Sequence, residues 1–481
     1  MRAIIFFIRN EYNAQVEHLF LNFLFFCDSF RAMKRRQFVG TSIFAGMPFI
    51  MKAEEEYLKP GETGYDQARQ LFNSDLSPKP AYIASCQSEE EVRKAITFAR
   101  NENLSVSVKS GGHCFIGSSM SDGSLSIDLS GMSQRAYFPE SKELIAGPGV
   151  KLGKLYDVLL PKGRILPAGS CAGVGLGGLA LGGGYGLFAR QWGLTSDHMQ
   201  RVKMVNGKGE LVDSKDDPEL LWACRGGGNG NFGVVTSMEF QTRAVRSTFG
   251  AQRFVVRGFS AKKAVEMMRD WFELAAGLPE PVFSGFVFNG RQITVLMTTS
   301  FTTGGPAFRK AAAAMERIGF GSKGGLNSPT AKALARYYGQ AGPLPFYNVS
   351  GGFYHGFKDV EHASGEVAEK VMGTGGLIFQ VNTLGGAITR GPDSAYPHRE
   401  YPFMGEIQAY WQRKSQREAL IANVTALRKA IGAKAHYRNY PDATLENPLE
   451  AYYGPSLLRL RAVKVRYDPD NLICHPQSLT S

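Results

Sequence analysis

Hydrophobic alternation and helical periodicity first become regular near residue 80. "AYIASC" is a short apolar run that predicts a strand. "SEEEVRKAITFARNE" follows, with Ser88 and Glu91 in capping-box spacing and apolar side chains at 92, 95, 96 and 99, which predicts a helix. "LSVSVK" then alternates as a second strand. This strand-helix-strand unit delivers the chain into "SGGHCF", where His113 follows two glycines. Two further glycine-rich stretches come next, "GSCAGVGLGGLALGGGYG" (169–186) and "GGGNGNFG" (226–233).

Beyond about residue 245 the pattern changes. "RFVVRGF", "VFSGFVFNGRQITVLMTTSF" with its Asn289-Gly290 hairpin signal, "GGLIFQVNTLGGAIT" and "YPFMGEIQAYW" predict antiparallel strands. Helical stretches lie between and after them, among them 416–431 with apolar positions 420, 421, 424, 427 and 431. Residues 441–481 are less sheet-like. The pattern predicts an α+β chain, with a glycine-rich N-terminal domain and a second domain built on an antiparallel sheet.

Composition narrows the function. A length of 481 residues, 43% of them hydrophobic, allows two or three domains with large cores. The net charge of +12 would suit a nucleic-acid partner, but the basic residues are scattered and the only tight run is Lys34, Arg35 and Arg36, which argues against that footprint. The six cysteines (27, 86, 114, 171, 224 and 474) show no CxxC spacing and form no disulfide framework.

Residues 33–51, "MKRRQFVGTSIFAGMPFIM", have the layout of an export signal and are too short to cross a bilayer comfortably. "KRRQF" resembles a twin-arginine signal. The expectation is a tail over 1–52, a start at Met33 and an exported protein with no stable membrane span; an ordinary basic amphipathic tail is the alternative.

Gly173, Gly175 and Gly178 satisfy GxGxxG, but the motif follows "LPAGSCA" rather than a strand and runs into a further triple glycine, too many for a stable helix start. A nicotinamide-binding unit is therefore not expected. Such glycine density instead lets backbone approach a flat or charged ligand closely, or simply packs tight turns. His113 and Cys171 each follow such a stretch, and the spacing alone leaves open base, metal ligand, covalent anchor or buried core residue.

Read together, "VKSGGHCFIGSS", "LPAGSCAGVGLGGLALGGGYGLFARQWGLTSDHM", "RGGGNGNFGVVTSMEF", "YRNYPD" and "YYGPSLLRLRAVKVRYDPDNLICHPQSL" resemble the berberine-bridge-enzyme-like flavoproteins of the vanillyl-alcohol oxidase superfamily, in order over residues 75–481. The resemblance implies a PCMH-type FAD-binding domain from 53–244 and 441–481, and a substrate domain over 245–440 whose antiparallel sheet is covered by helices. It implies FAD bound covalently through His113 and Cys171. The cofactor would also meet Ser110, Gly111, Gly112, Gly117, Ser118, Gly169 and Val174. Further along the chain it would meet Gly175, Gly178, Gly182, Tyr185, Gly186, Val235 and Asn439.

By the same resemblance Tyr440 takes a substrate hydroxyl proton, with Tyr185 near the flavin. Tyr437, Gln380 and Gln408 would line the substrate site. Sugar-oxidising relatives carry an acid where this chain has Asn382, and an amide can orient a phenol but cannot accept its proton at neutral pH. Val174 stands where relatives that react with oxygen carry valine, and those that react poorly carry leucine. The expected activity is an oxidase acting on an alcohol carbon of a carbohydrate or hydroxylated metabolite, with molecular oxygen as acceptor, hydrogen peroxide as product and no metal. A dehydrogenase with another acceptor and a ligand-binding protein without turnover are the alternatives.

Overall fold

The computed structural model describes residues 57–169, 171–300, 305–329 and 342–480, with 322–329 as backbone; the expected export signal lies outside the described residues. The first unit is strand β1 (Tyr82–Ser85), helix α1 (Glu89–Asn101) and strand β2 (Val106–Lys109). Ser88 Oγ accepts from the Glu91 amide at 3.3 Å, while the Glu91 carboxylate accepts from the Gln87 amide at 2.7 Å. Val92, Ala95, Ile96 and Ala99, the four periodic positions, are the residues the helix buries. Strand β3 (Leu125–Asp128) inserts between the other two, giving a parallel sheet of order β1-β3-β2. The free edge of β2 is taken by the C-terminal segment, for the Val106 amide donates to Leu472 O at 2.7 Å and the Cys474 amide to Val106 O at 3.1 Å.

The stretch from 130 to 245 is richer in strands than the sequence pattern predicts. It contains β4 (Arg135–Phe138), β5 (Glu143–Ala146), helix α2 (Leu152–Leu159), β6 (Arg164–Ile165), helix α3 (Leu176–Leu181), β7 (Met199–Asn206), β8 (Leu211–Asp213), β9 (Gly233–Gln241) and β10 (Arg243–Ala244). An antiparallel five-stranded sheet runs β4-β5-β9-β7-β8, and β6 pairs with β10. Helix α3 corrects one expectation. It does open inside the glycine motif, with Gly175 as N-cap, because Leu176, Ala180 and Leu181 are buried and tertiary packing offsets the weak helix propensity of glycine.

The second half is one seven-stranded antiparallel sheet. Its strands are β11 (Thr248–Arg257), β12 (Val282–Asn289), β13 (Gln292–Thr299), β14 (Ser322–Pro329), β15 (Phe346–Tyr354), β16 (Leu377–Thr383) and β17 (Phe403–Tyr410), in the order β14-β11-β13-β12-β16-β17-β15. The Asn289-Gly290 turn closes the β12-β13 hairpin with Asn289 opposite Gln292 and Gly290 at φ +57°. The strand expected through "GGAIT" stops at Thr383, since Gly385 and Gly386 take φ of +76° and +58° and lead into a 3₁₀ turn over Gly386–Arg390.

Helices α4 (Ala261–Ala276), α5 (Ser364–Gly373) and α6 (Arg417–Ile431) share a core with this sheet that includes Trp271, Phe272, Val367, Leu420, Phe286, Phe379 and Ile407. Period-two alternation then decides the site. With Phe379, Val381, Ile407 and Ala409 turned to the helices, the residues between them, Gln380, Asn382, Glu406 and Gln408, face the other way, toward the glycine loops. Among the described residues no helix is long and apolar enough to cross a membrane.

Helix α7 (Leu457–Tyr467) returns the chain to the first half, where Leu460, Val463 and Tyr467 join the core around α2, α3 and β9. At its end Lys464 and Asp468 form a fully buried ion pair at 2.5 Å. Lys464 Nζ also donates to Asn231 O and Ile473 O, each at 2.8 Å, and Asp468 accepts from the Leu472 and Ile473 amides. This pair anchors the segment that covers β2. Lys464→Met leaves a carboxylate buried without its cation, so the protein should lose about 3–5 kcal/mol of stability, read as a lower denaturant midpoint; an unchanged midpoint would show the pair to be dispensable.

Candidate active site

Glycine loops and the segment 437–440 meet over the polar face of the large sheet. A Cβ on Gly111 would lie 2.3 Å from the Gly175 amide nitrogen, and one on Gly175 would lie 2.1 Å from Ser110 Oγ, so the two loops can touch only as glycine. Ser110 Oγ donates to the Pro148 carbonyl at 2.6 Å, which fixes the same corner. Gly186 and Gly182 are equally constrained: their Cβ atoms would meet Ala168 O at 2.0 Å and Asn439 Oδ1 at 2.1 Å. Gly178 is the opposite case, with nothing within 4 Å of its Cβ position.

These loops enclose a cavity of about 370 Å³. Of the residues singled out from the sequence, Ser110, Gly111, Gly112, His113, Ser118, Gly169, Cys171, Val174, Gly175 and Gly178 line it. So do Tyr185, Gly186, Val235, Gln380, Gln408, Tyr437, Asn439 and Tyr440. Gly117, Gly182 and Asn382 do not. Gly117 turns at φ +78° against Leu71 and Leu76, Gly182 packs on Asn439, and Asn382 sits behind the wall.

His113 stacks on Phe72, with ring centroids 4.0 Å apart and planes at 17°. Burial, with Lys151 nearby, pulls its pKa down to about 4, against a hydrogen bond to the Gly173 backbone. The imidazole is therefore neutral at physiological pH. With one ring nitrogen bound to Gly173, the other keeps its lone pair, the state a nucleophilic attachment requires. Cys171 lies on the same cavity wall near Tyr156, whose hydroxyl donates to Gly169 O.

The cavity wall also holds polar atoms that the protein leaves unmet. Ser118 Oγ, Ser119 Oγ and Asn229 Oδ1 are buried without a hydrogen-bond partner, and all three residues line the cavity. Each such atom costs about 1–3 kcal/mol unless a ligand meets it. Glycine backbone in close approach, unpaired hydroxyls and a neutral imidazole fit the FAD that the resemblance implies.

At the sheet side the hydroxyls of Tyr185 and Tyr440 are 2.6 Å apart. Phe115, from the His113 loop, stacks on Tyr440 with centroids at 5.2 Å and planes at 15°. Asn382 Nδ2 donates to Tyr185 Oη at 3.1 Å; Gln380 Nε2 donates to Asn382 Oδ1 and Gln408 Nε2 to Gln380 Oε1, each at 3.2 Å. Tyr437 lines the cavity, but its hydroxyl accepts from the Gly184 amide at 3.0 Å and from Asn439 Nδ2 at 3.1 Å, which ties the 437–440 segment to the glycine loop. Burial first, and then Glu406, holds both Tyr185 and Tyr440 well above the ordinary phenol pKa.

Glu406 is the residue that sequence reasoning missed. It lines the cavity on β17, opposite Gln380, and burial raises its carboxyl to about 8 while a hydrogen bond with Gln408 works against the shift. The signal was present in "GEIQ", since two residues before Gln408 on a strand is the same face. Asn348, Tyr410, Arg438 and His475 also line the cavity and were not singled out.

Residues 80–215 match the FAD binding domain family and residues 436–480 the berberine and berberine-like family. The FAD-linked oxidoreductase YvdP of Bacillus subtilis is 30% identical over 451 residues, covering 87% of this chain and 96% of its own. The chitooligosaccharide oxidase of Gibberella zeae is 28% identical over 462 residues, covering 87% and 91%. Among solved structures, a chitooligosaccharide oxidase superposes with a TM-score of 0.81 at 25% identity, over 88% of this chain and 97% of its own. BBE-like 1 of Physcomitrella patens gives 0.81 at 22%, over 88% and 96%. The fold is thus of the PCMH FAD-binding type, and the chain belongs to the berberine-bridge-enzyme-like FAD-linked oxidoreductases.

Proposed function

We propose that the protein is a bicovalently flavinylated oxidase that removes hydride from an alcohol carbon of a carbohydrate and passes the electrons to oxygen. The observation that carries this reading is the Tyr185–Tyr440 hydroxyl pair, at 2.6 Å, lining the same cavity as His113 and Cys171. FAD, when bound, supplies the two-electron acceptor. His113 and Cys171 would hold its ring from the glycine loops. Tyr440 would hold the substrate hydroxyl and take its proton, held in place by the Phe115 stack and by Tyr185, which Asn382 fixes. Gln380 and Gln408 offer amide groups to sugar hydroxyls from the floor of the cavity. Two relatives are named as oxidases of chitooligosaccharides and xylooligosaccharides, at 28% and 27% identity, which favours an oligosaccharide. Val174, a small side chain on the cavity wall, supports oxygen as the acceptor by leaving room beside the ring. Export through the "KRRQF" signal belongs to the same reading.

A panel of chitooligosaccharides, xylooligosaccharides and aromatic alcohols should reveal peroxide release from at least one oligosaccharide; flavin that no sugar reduces would reject the reading. His113→Ala and Cys171→Ala should each leave flavin attached after acid precipitation, and the double variant should release it, as read by absorbance of the pellet and supernatant. Tyr440→Phe should slow anaerobic flavin reduction by about 10²- to 10⁴-fold, whereas an undiminished rate would remove Tyr440 from the chemistry. Val174→Leu should slow stopped-flow reoxidation by air while leaving flavin reduction unchanged; an equal oxygen rate would favour another electron acceptor.

A further inference from the structure

An alcohol oxidation releases a proton as well as a hydride, and the site must have somewhere to put it. Tyr440 and Tyr185 are both partly buried, and both carry their protons at neutral pH. Two protonated phenols can pass a proton along but cannot store one. Asn382, which fixes Tyr185, is an amide and cannot store it either.

One carboxyl faces the same cavity. Glu406 projects from β17 on the face that carries Gln408 and Tyr410, with Gln380 opposite it on β16 and Ser350 opposite it on β15. Tyr410 on its own strand, Tyr185 from the loop after α3 and Tyr440 from the 437–440 segment line the same cavity, as do His113, Tyr437, Arg438 and His475. Among the described residues no Lys or Arg forms an ion pair with it, although the structure pairs most of its other part-buried acids, Asp128 with Lys109, Asp197 with Arg399 and Asp442 with Arg428 among them. A buried acid left without a cation in a reaction cavity is poised to exchange a proton, not to hold the fold together. Ser350, opposite Glu406 on β15, donates its amide to Tyr440 O at 3.0 Å, which ties the 437–440 segment to the strand position facing Glu406, and the carboxylate acts electrostatically on both phenols.

We propose that Glu406 is the terminal proton acceptor of the oxidation, supplied from β17 where Asn382 on β16 has no acid to offer. This rests on the alcohol-oxidase reading above. As the substrate C–H bond breaks and its electron pair leaves as hydride for the two-electron acceptor that bound FAD would supply, the O–H bond breaks and the carbonyl forms. Tyr440 takes the hydroxyl proton, the tyrosine pair gives up one of its own, and the Glu406 carboxylate becomes a carboxylic acid, which later returns the proton to solvent. Because Glu406 titrates near 8, the acceptor form is scarce below that pH and fills in above it, so the step speeds up as pH rises through about 8.

Two measurements on the holoenzyme test this. Without substrate, the infrared difference spectrum between about pH 6 and about pH 10 should contain a buried protonated carboxyl band that Glu406→Gln removes; a spectrum the substitution leaves unchanged overturns the proposal. With an oligosaccharide that reduces the wild-type flavin, Glu406→Gln should slow anaerobic reduction by about 10²-fold and flatten its rise with pH. Glu406→Asp should keep the rise, which guards against a Gln variant that folds poorly, and retained covalent flavin reports folding in both. A Gln variant with the wild-type rate and pH profile also overturns the proposal. Flavin that no sugar reduces in the wild type would instead defeat the alcohol-oxidase reading, while the carboxyl band still decides whether Glu406 holds the proton.

Discussion

One close backbone contact in the site is the constraint on which the rest depends. Ser110–Gly111 and Gly175 pass so near one another that a methyl group on either glycine would overlap backbone or Ser110 Oγ. The contact links the exit of a parallel β-strand to the start of α3, and both neighbouring nucleophiles ride on it. His113 is two residues beyond Gly111 and packs against Gly173, and Cys171 is four residues before Gly175. The C-terminal segment then closes the free edge of β2, so the far end of the chain also bears on the loop that carries His113. Rigidity of this kind holds both side chains at fixed positions on the cavity, so that a ligand entering it does not have to order the loops.

On the opposite wall the hydrogen bonds share one sense. Asn348 Nδ2 donates to Tyr410 Oη at 2.9 Å, Tyr410 to Gln408 Oε1 at 3.2 Å, and the amides of Gln408, Gln380 and Asn382 donate onward in turn until Tyr185 is reached. Asn382 donates to Tyr185, and the hydroxyls of Tyr185 and Tyr440, 2.6 Å apart, share a hydrogen bond in which either can be the donor. A chain of neutral donors pointing at one phenol can support negative charge there without burying a cation.

Much of this was legible in the sequence, and what was not has physical causes. The capped helix α1, the Asn289-Gly290 hairpin and helix α6 each carry a strong local signal, and the structure forms all three. Strands β4, β5, β7 and β8 escaped the sequence pattern. They are short or carry charged residues on an exposed face, as in "MQRVKMVN", where Gln200 is exposed and Arg201 and Lys203 are half-buried. The His113 and Cys171 positions were legible because glycine density and a nucleophile coincide. Ser119 and Asn229 were not, since an unpaired buried polar atom is a property of the fold and leaves no pattern along the chain.

Glu406 shows the limit most clearly. The sequence marked Asn382 as the place where relatives carry an acid, and the glutamate two residues before Gln408 was passed over because the pairing of its strand is not apparent along the chain. In an antiparallel sheet, however, position 380 lies opposite 406 and position 382 opposite 404, so two strands separated by nineteen residues present side chains to one cavity. A charge can therefore move from one strand to the next and remain in the site. The move alters the chemistry as well as the address. An amide at 382 can bond directly to Tyr185 without repelling a phenolate, whereas the carboxyl at 406 acts on both tyrosines through space and raises their pKa values when ionised. Separating the group that orients the phenol from the group that can hold the proton lets each be tuned by its own surroundings, the first by hydrogen bonds and the second by burial.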